Sequence, residues 1–155
     1  MKFSTREDIE APIEFVFGEV SDFAALERSA LRRGADVQRL DTLAKNGPGM
    51  KWDTAFDLRG KRRELQLELV QYDPPNAMKF ASTSSMIYSD LVLDLVALSR
   101  GRTRMSLDME LKPQNLSARL LVQSLKLAKT NVMKRFEMRM ASYARDLEDK
   151  YTRRT

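Results

Sequence analysis

The chain has 155 residues, with 27 lysines and arginines against 22 acidic residues, 43% hydrophobic residues, and neither cysteine nor histidine. At this length one core buries roughly two thirds of the unfolded surface, so a single domain over residues 1–155 needs no disulfide or metal to hold it. The missing residue types exclude zinc ribbons, disulfide frameworks, thiol nucleophiles, imidazole bases and haem ligation by His or Cys.

The first run, Lys2 to Glu10, alternates Phe3, Thr5 and Ile9 with Lys2, Ser4, Arg6 and Asp8, which predicts a strand. Pro12 suits a first helical turn, and Ile13, Phe15, Val16, Phe17 and Val20 supply its apolar stripe. Ser21 or Asp22 then caps a second short helix, Phe23 to Arg33, with Phe23, Leu26, Ala30 and Leu31 on one side and Gly34 as its stop. From residue 35 to 112 the period becomes two. Six hairpin-linked strands are predicted there. The first is Asp36 to Leu43, ended by Asn46-Gly-Pro-Gly49. The second carries Met50, Trp52, Thr54, Phe56 and Leu58 on its dry face, and Gly60 turns the chain. Leu65, Leu67 and Leu69 continue to the turn Asp73-Pro-Pro-Asn76, followed by Met78, Phe80, Ser82 and Ser84. Leu91, Leu93 and Leu95 come next, then Arg100-Gly-Arg102 and Met105, Leu107, Met109 and Leu111. From Leu116 to Tyr151 the apolar residues step by three or four without Gly or Pro, predicting one long helix.

The longest stretch without a charge is ten residues, Phe80 to Ser89, against roughly 18 for a membrane span. Met1 to Asp8 is charged where a signal peptide would begin its apolar region, so a cytoplasmic location is expected. The only G-x-G is Gly47-Pro-Gly49, without Rossmann spacing, and there is no P-loop. No cofactor and no metal is expected.

Strand, two short helices, six strands and one long helix is the element order of the helix-grip fold. Ile9-Glu-Ala-Pro-Ile-Glu-Phe-Val-Phe17 followed by Val20-Ser-Asp22, with the Tyr72-Asp-Pro-Pro-Asn76 turn, resembles the START, polyketide-cyclase and birch-pollen-allergen (SRPBCC) superfamily. The resemblance covers essentially the whole chain, and its motifs fix turns and helix starts. It implies an α+β fold: a seven-stranded curved antiparallel sheet, in the order β-α-α-β-β-β-β-β-β-α, wrapped around a long C-terminal helix with an apolar cavity between them. Members bind lipids, sterols, isoprenoid quinones or polyketides, and some cyclise or dehydrate them.

A cavity in such a fold would be lined by inward strand positions. Trp52, Thr54, Phe56, Leu67, Met78, Phe80, Ser82, Leu93, Met105 and Met109 are the candidate ligand-binding residues, with Leu121 and Leu125 from the helix. The same residues would also fill an ordinary core. Trp52 decides between these outcomes: beside an open pocket its truncation costs less than the roughly 3–5 kcal/mol of a core position. Glu7 falls on the inner phase of its strand, where a carboxylate needs a partner such as Arg63. Glu7, Tyr88 and Arg63 are the candidate polar anchors. They are also the candidate catalytic groups of an enzymatic reading, with Glu7 or Tyr88 exchanging protons and Arg63 stabilising an enolate.

In an antiparallel meander alternate turns share an end, so the Arg59-Gly-Lys-Arg-Arg63 turn is expected beside the Ser84 to Tyr88 turn and the start of the long helix, as a basic mouth. From Lys112 onward there are 11 basic and 4 acidic residues. A basic helix face of this kind fits solvent, an anionic membrane surface or an acidic protein, and with few aromatics for stacking no nucleic acid is expected. Three functions follow in order: binding or carrying a small hydrophobic ligand (lipid, isoprenoid or polyketide-like), a cyclase or dehydratase using the same cavity, and a peripheral membrane or protein-interaction module.

Overall fold

The computed structural model describes residues 1–58 and 60–154, Leu58 by its backbone alone. The order is β1 (Lys2–Ile9), α1 (Ile13–Val20), α2 (Phe23–Arg32), β2 (Asp36–Arg39), β3 (Lys51–Leu58), β4 (Lys61–Asp73), β5 (Ala77–Thr83), β6 (Ile87–Ser99), β7 (Arg102–Pro113), α3 (Leu116–Leu127) and α4 (Lys129–Arg154). The seven strands form one antiparallel sheet in the order β1-β7-β6-β5-β4-β3-β2. The hairpin-linked run from β2 to β7 is completed by β1, which pairs with β7 from Lys2↔Glu110 to Ile9↔Thr103.

Local chemistry explains the helix ends. Asp22 accepts a hydrogen bond from the Ala25 amide at 3.2 Å, capping α2, while the Ser21 hydroxyl donates to the Phe17 carbonyl at 2.7 Å at the end of α1. Asn115 accepts from the Ala118 amide at 2.8 Å and starts α3. Gly34, with φ +91°, turns the chain out of α2 in a conformation that side chains disfavour.

Three sequence expectations are corrected. The first hairpin strand ends at Arg39 rather than Leu43, because the Asp41 carboxylate takes the Arg39 guanidinium at 2.7 and 2.8 Å and the Leu43 and Lys51 amides at 3.0 and 2.8 Å. That knot of donors holds residues 41–43 out of the strand ladder. Arg39 is the main reason the Asp41 carboxyl stays well below the usual carboxylate range. In β4 a bulge between Leu69 and Gln71 breaks the alternation. Val70 is left exposed, and Tyr72, not Gln71, turns inward to place its ring 5.5 Å from that of Phe17.

The C-terminal helix, expected to be continuous, breaks at Ala128. Its amide bonds the carbonyls of Leu125 and Lys126, while its carbonyl accepts from Val132. No glycine or proline marks the place; the two halves pack on different elements, α3 against β7 and α4 against β1 and α1. The buried cluster includes Ile9, Val16 and Phe17, Met50, Leu69, Met78, Leu95 and Met105, and Ala144 and Leu147 of α4. Full burial of such side chains is worth roughly 1.5–3 kcal/mol each. Thr103, fully buried among them, satisfies its hydroxyl by donating to the Ala11 carbonyl at 2.8 Å. No helix among the described residues is long and apolar enough to cross a membrane.

Candidate ligand-binding site

The concave face carries two adjoining chambers, and strand alternation decides what lines each. Phe56, Leu65, Ser82 and Ser89, from β3, β4, β5 and β6, line the first. Thr54, Leu67, Phe80 and Leu91, two positions along the same strands, line the second. Two strand residues span about 6.6 Å, so the chambers are neighbours along the strands.

The first chamber, about 340 Å³, lies where two hairpins meet α3. Arg62 and Arg63 enter from the start of β4, Ser84, Ser85 and Met86 from the turn before β6, and Leu121 and Leu125 from α3. The expected basic end is thus built from these segments; Arg59, also expected there, lies outside the described residues. Arg62 is tied to Asp36 on β2. Arg63 is not tied: its Nη1 reaches only the Met86 sulfur at 3.6 Å, and its buried Nε has no hydrogen-bond partner. The Ser82 and Ser89 hydroxyls bond each other across β5 and β6. Ser84 is consumed by its turn, donating to the Ile87 carbonyl and accepting from the Ile87 amide, both at 2.9 Å.

The second chamber, about 280 Å³, lies under α2, which adds Phe23, Leu26, Glu27 and Ala30, with Val37 and Trp52 completing the wall. Its polar side chains are Glu27 and Thr54; the rest of the wall is apolar. Trp52 is 4% exposed, and it is held on the sides away from the chamber. Its indole N–H donates to Glu27 at 2.6 Å, Phe23 and Phe80 set their rings 5.3 and 6.3 Å away, and the Arg39 guanidinium lies 5.8 Å from its centroid. Asp41, by fixing Arg39, therefore helps to position the wall of this chamber.

The sequence-derived candidates divide accordingly. Trp52, Thr54, Leu67 and Phe80 line the second chamber, and Phe56, Ser82, Leu121, Leu125 and Arg63 the first. Met78, Leu93 and Met105 are core residues that line neither. Met109 is half-buried beside Phe3 in a separate hollow near the β1 edge. Tyr88 is corrected outright. It is 47% exposed and one position out of phase with Ile87 and Ser89, so it stands on the convex side. Glu7 lies in a surface hollow with Ser4, Arg6, Ser106, Asp108 and Glu137. It sits on β1, four places from β4 in the sheet, and no ion pair joins it to Arg63 among the described residues. Sequence reasoning missed Glu27 and Met86. Glu27 follows Phe23 by one helical turn, which was the available signal; Met86 sat in a run read only as turn.

No protein-family model and no curated protein matches the sequence. Solved structures do match. TTHA0849 of Thermus thermophilus aligns with TM-score 0.66 at 18% identity, covering 100% of this chain and 99% of that one. The Zhui aromatase/cyclase of a Streptomyces strain aligns with TM-score 0.63 at 12% identity over 86% and 89%. A START superfamily protein of Mycobacterium smegmatis aligns with TM-score 0.58 at 13% identity over 88% and 97%. At these identities the likeness establishes the fold.

Proposed function

From the helix-grip fold that this chain shares with the START and polyketide-cyclase superfamily, we propose that the protein binds or carries a small hydrophobic molecule between its sheet and helices. The observation that carries this reading is the pair of adjoining chambers on the concave face, one of them walled almost entirely by Phe23, Leu26, Trp52, Leu67, Phe80 and Leu91. The first, at about 340 Å³, sits at the lower end of the range of roughly 300–1,000 Å³ usual for ligand pockets, and the second, at about 280 Å³, just below it. Enzymatic turnover has less support, since Glu7 and Tyr88, the proton-exchanging candidates, line neither chamber. Trp52, the single tryptophan, is the natural reporter. Titrating fatty acids, sterols, quinones and flavonoids is expected to give a saturable change in its emission with at least one of these classes. Silence across that panel, with nothing retained by the freshly purified protein in native mass spectrometry, would leave the chambers as packing defects.

A second reading, docking on an anionic lipid surface, is favoured by α3. Leu116, Leu120 and Leu127 lie on one face of it, opposite the buried Ala118, Val122 and Leu125, and Leu127 is 93% exposed. Arg119 and Lys126 lie beside this stripe. Leucines inserted among acyl chains with basic residues at the headgroups is the pattern of an interfacial helix. Cosedimentation with phosphatidylserine vesicles, lost on Leu120→Ser together with Leu127→Ser and weakened by salt, is the expected result. Equal sedimentation of parent and variant would dismiss it.

A further inference from the structure

Given a ligand in these chambers, as proposed above, we propose that it is an amphipathic carboxylate, its head group bound by Arg63 in the first chamber and its apolar body lying along the strands toward Trp52 in the second.

Arg63 differs from the other arginines of the sheet. Arg39 faces Asp41, Arg62 faces Asp36, and Arg102 and Arg104 face Asp8, while Arg6 is exposed to solvent. Arg63 has no ion pair among the described residues, its Nε is buried without an acceptor, and its one side-chain hydrogen bond among them is to a thioether. A guanidinium carries five N–H donors, and a buried donor left unmade is destabilising. The acid next to it, Glu64, contributes to the rim of the same chamber, but it is exposed and makes no ion pair with Arg63 among the described residues. The chamber around Arg63 includes Phe56, Leu65, Leu121 and Leu125, which cannot solvate a cation, and the Ser82–Ser89 hydroxyl pair, which can donate to an anion.

A neutral lipid would fill the apolar volume and leave the charge uncompensated. A carboxylate offers two acceptor oxygens in the geometry the guanidinium fork matches, which is why arginine selects it over a carbonyl or a hydroxyl. The layout of the two chambers supplies the remaining constraint. The cation lies in the one at the hairpin end, and the chamber farther along the same four strands has an almost entirely apolar wall. A molecule that satisfies both ends has one charged terminus and one apolar body.

The test uses two probes of equal length that differ only at the head, octanoate and octanol, titrated into the full chain by calorimetry, with the parent compared to Arg63→Met and Arg63→Lys. In the parent, octanoate is expected to bind at least tenfold more tightly than octanol. Arg63→Met should abolish that preference by weakening octanoate at least tenfold while leaving octanol unchanged, and Arg63→Lys should keep part of it, as a charge without the fork. Arg63→Met should also melt no lower than the parent, because an unpaired cation is exchanged for an apolar side chain of similar length. Equal binding of the two probes by the parent, or equal loss of both in Arg63→Met, would overturn the carboxylate assignment while leaving the carrier reading in place. A melting temperature well below the parent's would mean that Arg63 has a structural partner, and would also overturn it. Binding of neither probe would remove the carrier reading along with it.

Discussion

Leu147→Glu is expected to abolish cooperative folding or to lower the melting temperature by more than about 10 °C. Leu147 is 4% exposed and belongs to the buried cluster that joins α4 to Ile9, Val16 and Met105. Two costs add. The lost leucine packing is worth roughly 2–5 kcal/mol, and the new carboxylate enters a cluster in which none of the buried residues carries a positive charge, costing several kcal/mol more or forcing it to take up a proton. Against a total stability of about 5–15 kcal/mol, either sum is decisive. The paired control is Asp149→Lys, two positions on and exposed, which should change the melting temperature by about 2 °C at most. Thermal unfolding followed by circular dichroism checks both. Similar curves for the two variants would mean that α4 does not dock on the sheet through this face.

Trp52→Ala is expected to cost about 3–5 kcal/mol, the full value for a large aromatic in a core. The sequence supported a smaller loss, on the ground that a ring beside an open pocket lacks packing on one side. The structure reverses this. Although Trp52 borders the second chamber, its other surfaces are occupied by Phe23, Phe80 and the Arg39 guanidinium, and its N–H is bonded to Glu27. Truncation removes the ring and strips Glu27 of its donor as well. Urea denaturation monitored by circular dichroism should show the midpoint falling with the slope unchanged. Trp52→Phe separates the two contributions: it keeps the ring stacking and loses the hydrogen bond, so it should cost only about 1–2 kcal/mol. Equal losses for Ala and Phe would place the energy in the Glu27 bond rather than in the aromatic cluster.

How much of this molecule could be read in its amino-acid order follows from the range of each interaction. Strand alternation, glycine turns and helix caps act within a few residues, and these local signals were enough to predict the seven strands, the two short helices and the apolar face of the C-terminal helical segment. The same parity rule, applied strictly, would have set Tyr88 opposite Ile87 and Ser89 and excluded it as a polar anchor. The meander argument, which depends only on counting turns, brought Arg63 to the end of the sheet where the second hairpin and α3 meet it.

What only the tertiary structure decided depends on partners distant along the chain. The bulge after Leu69 answers to Phe17, which calls Tyr72 inward. The break at Ala128 arises where the helix passes from β7 to β1, a change of neighbour that leaves no glycine or proline behind. Met78 and Met105 share an inward phase with Phe80 and Trp52 and meet them in one buried cluster, yet the second pair alone borders the space under α2. The isolation of Arg63 is of the same kind. A charge is unpaired only with respect to everything folded around it, and here four other sheet arginines found carboxylates while Arg63 met a thioether and two leucines.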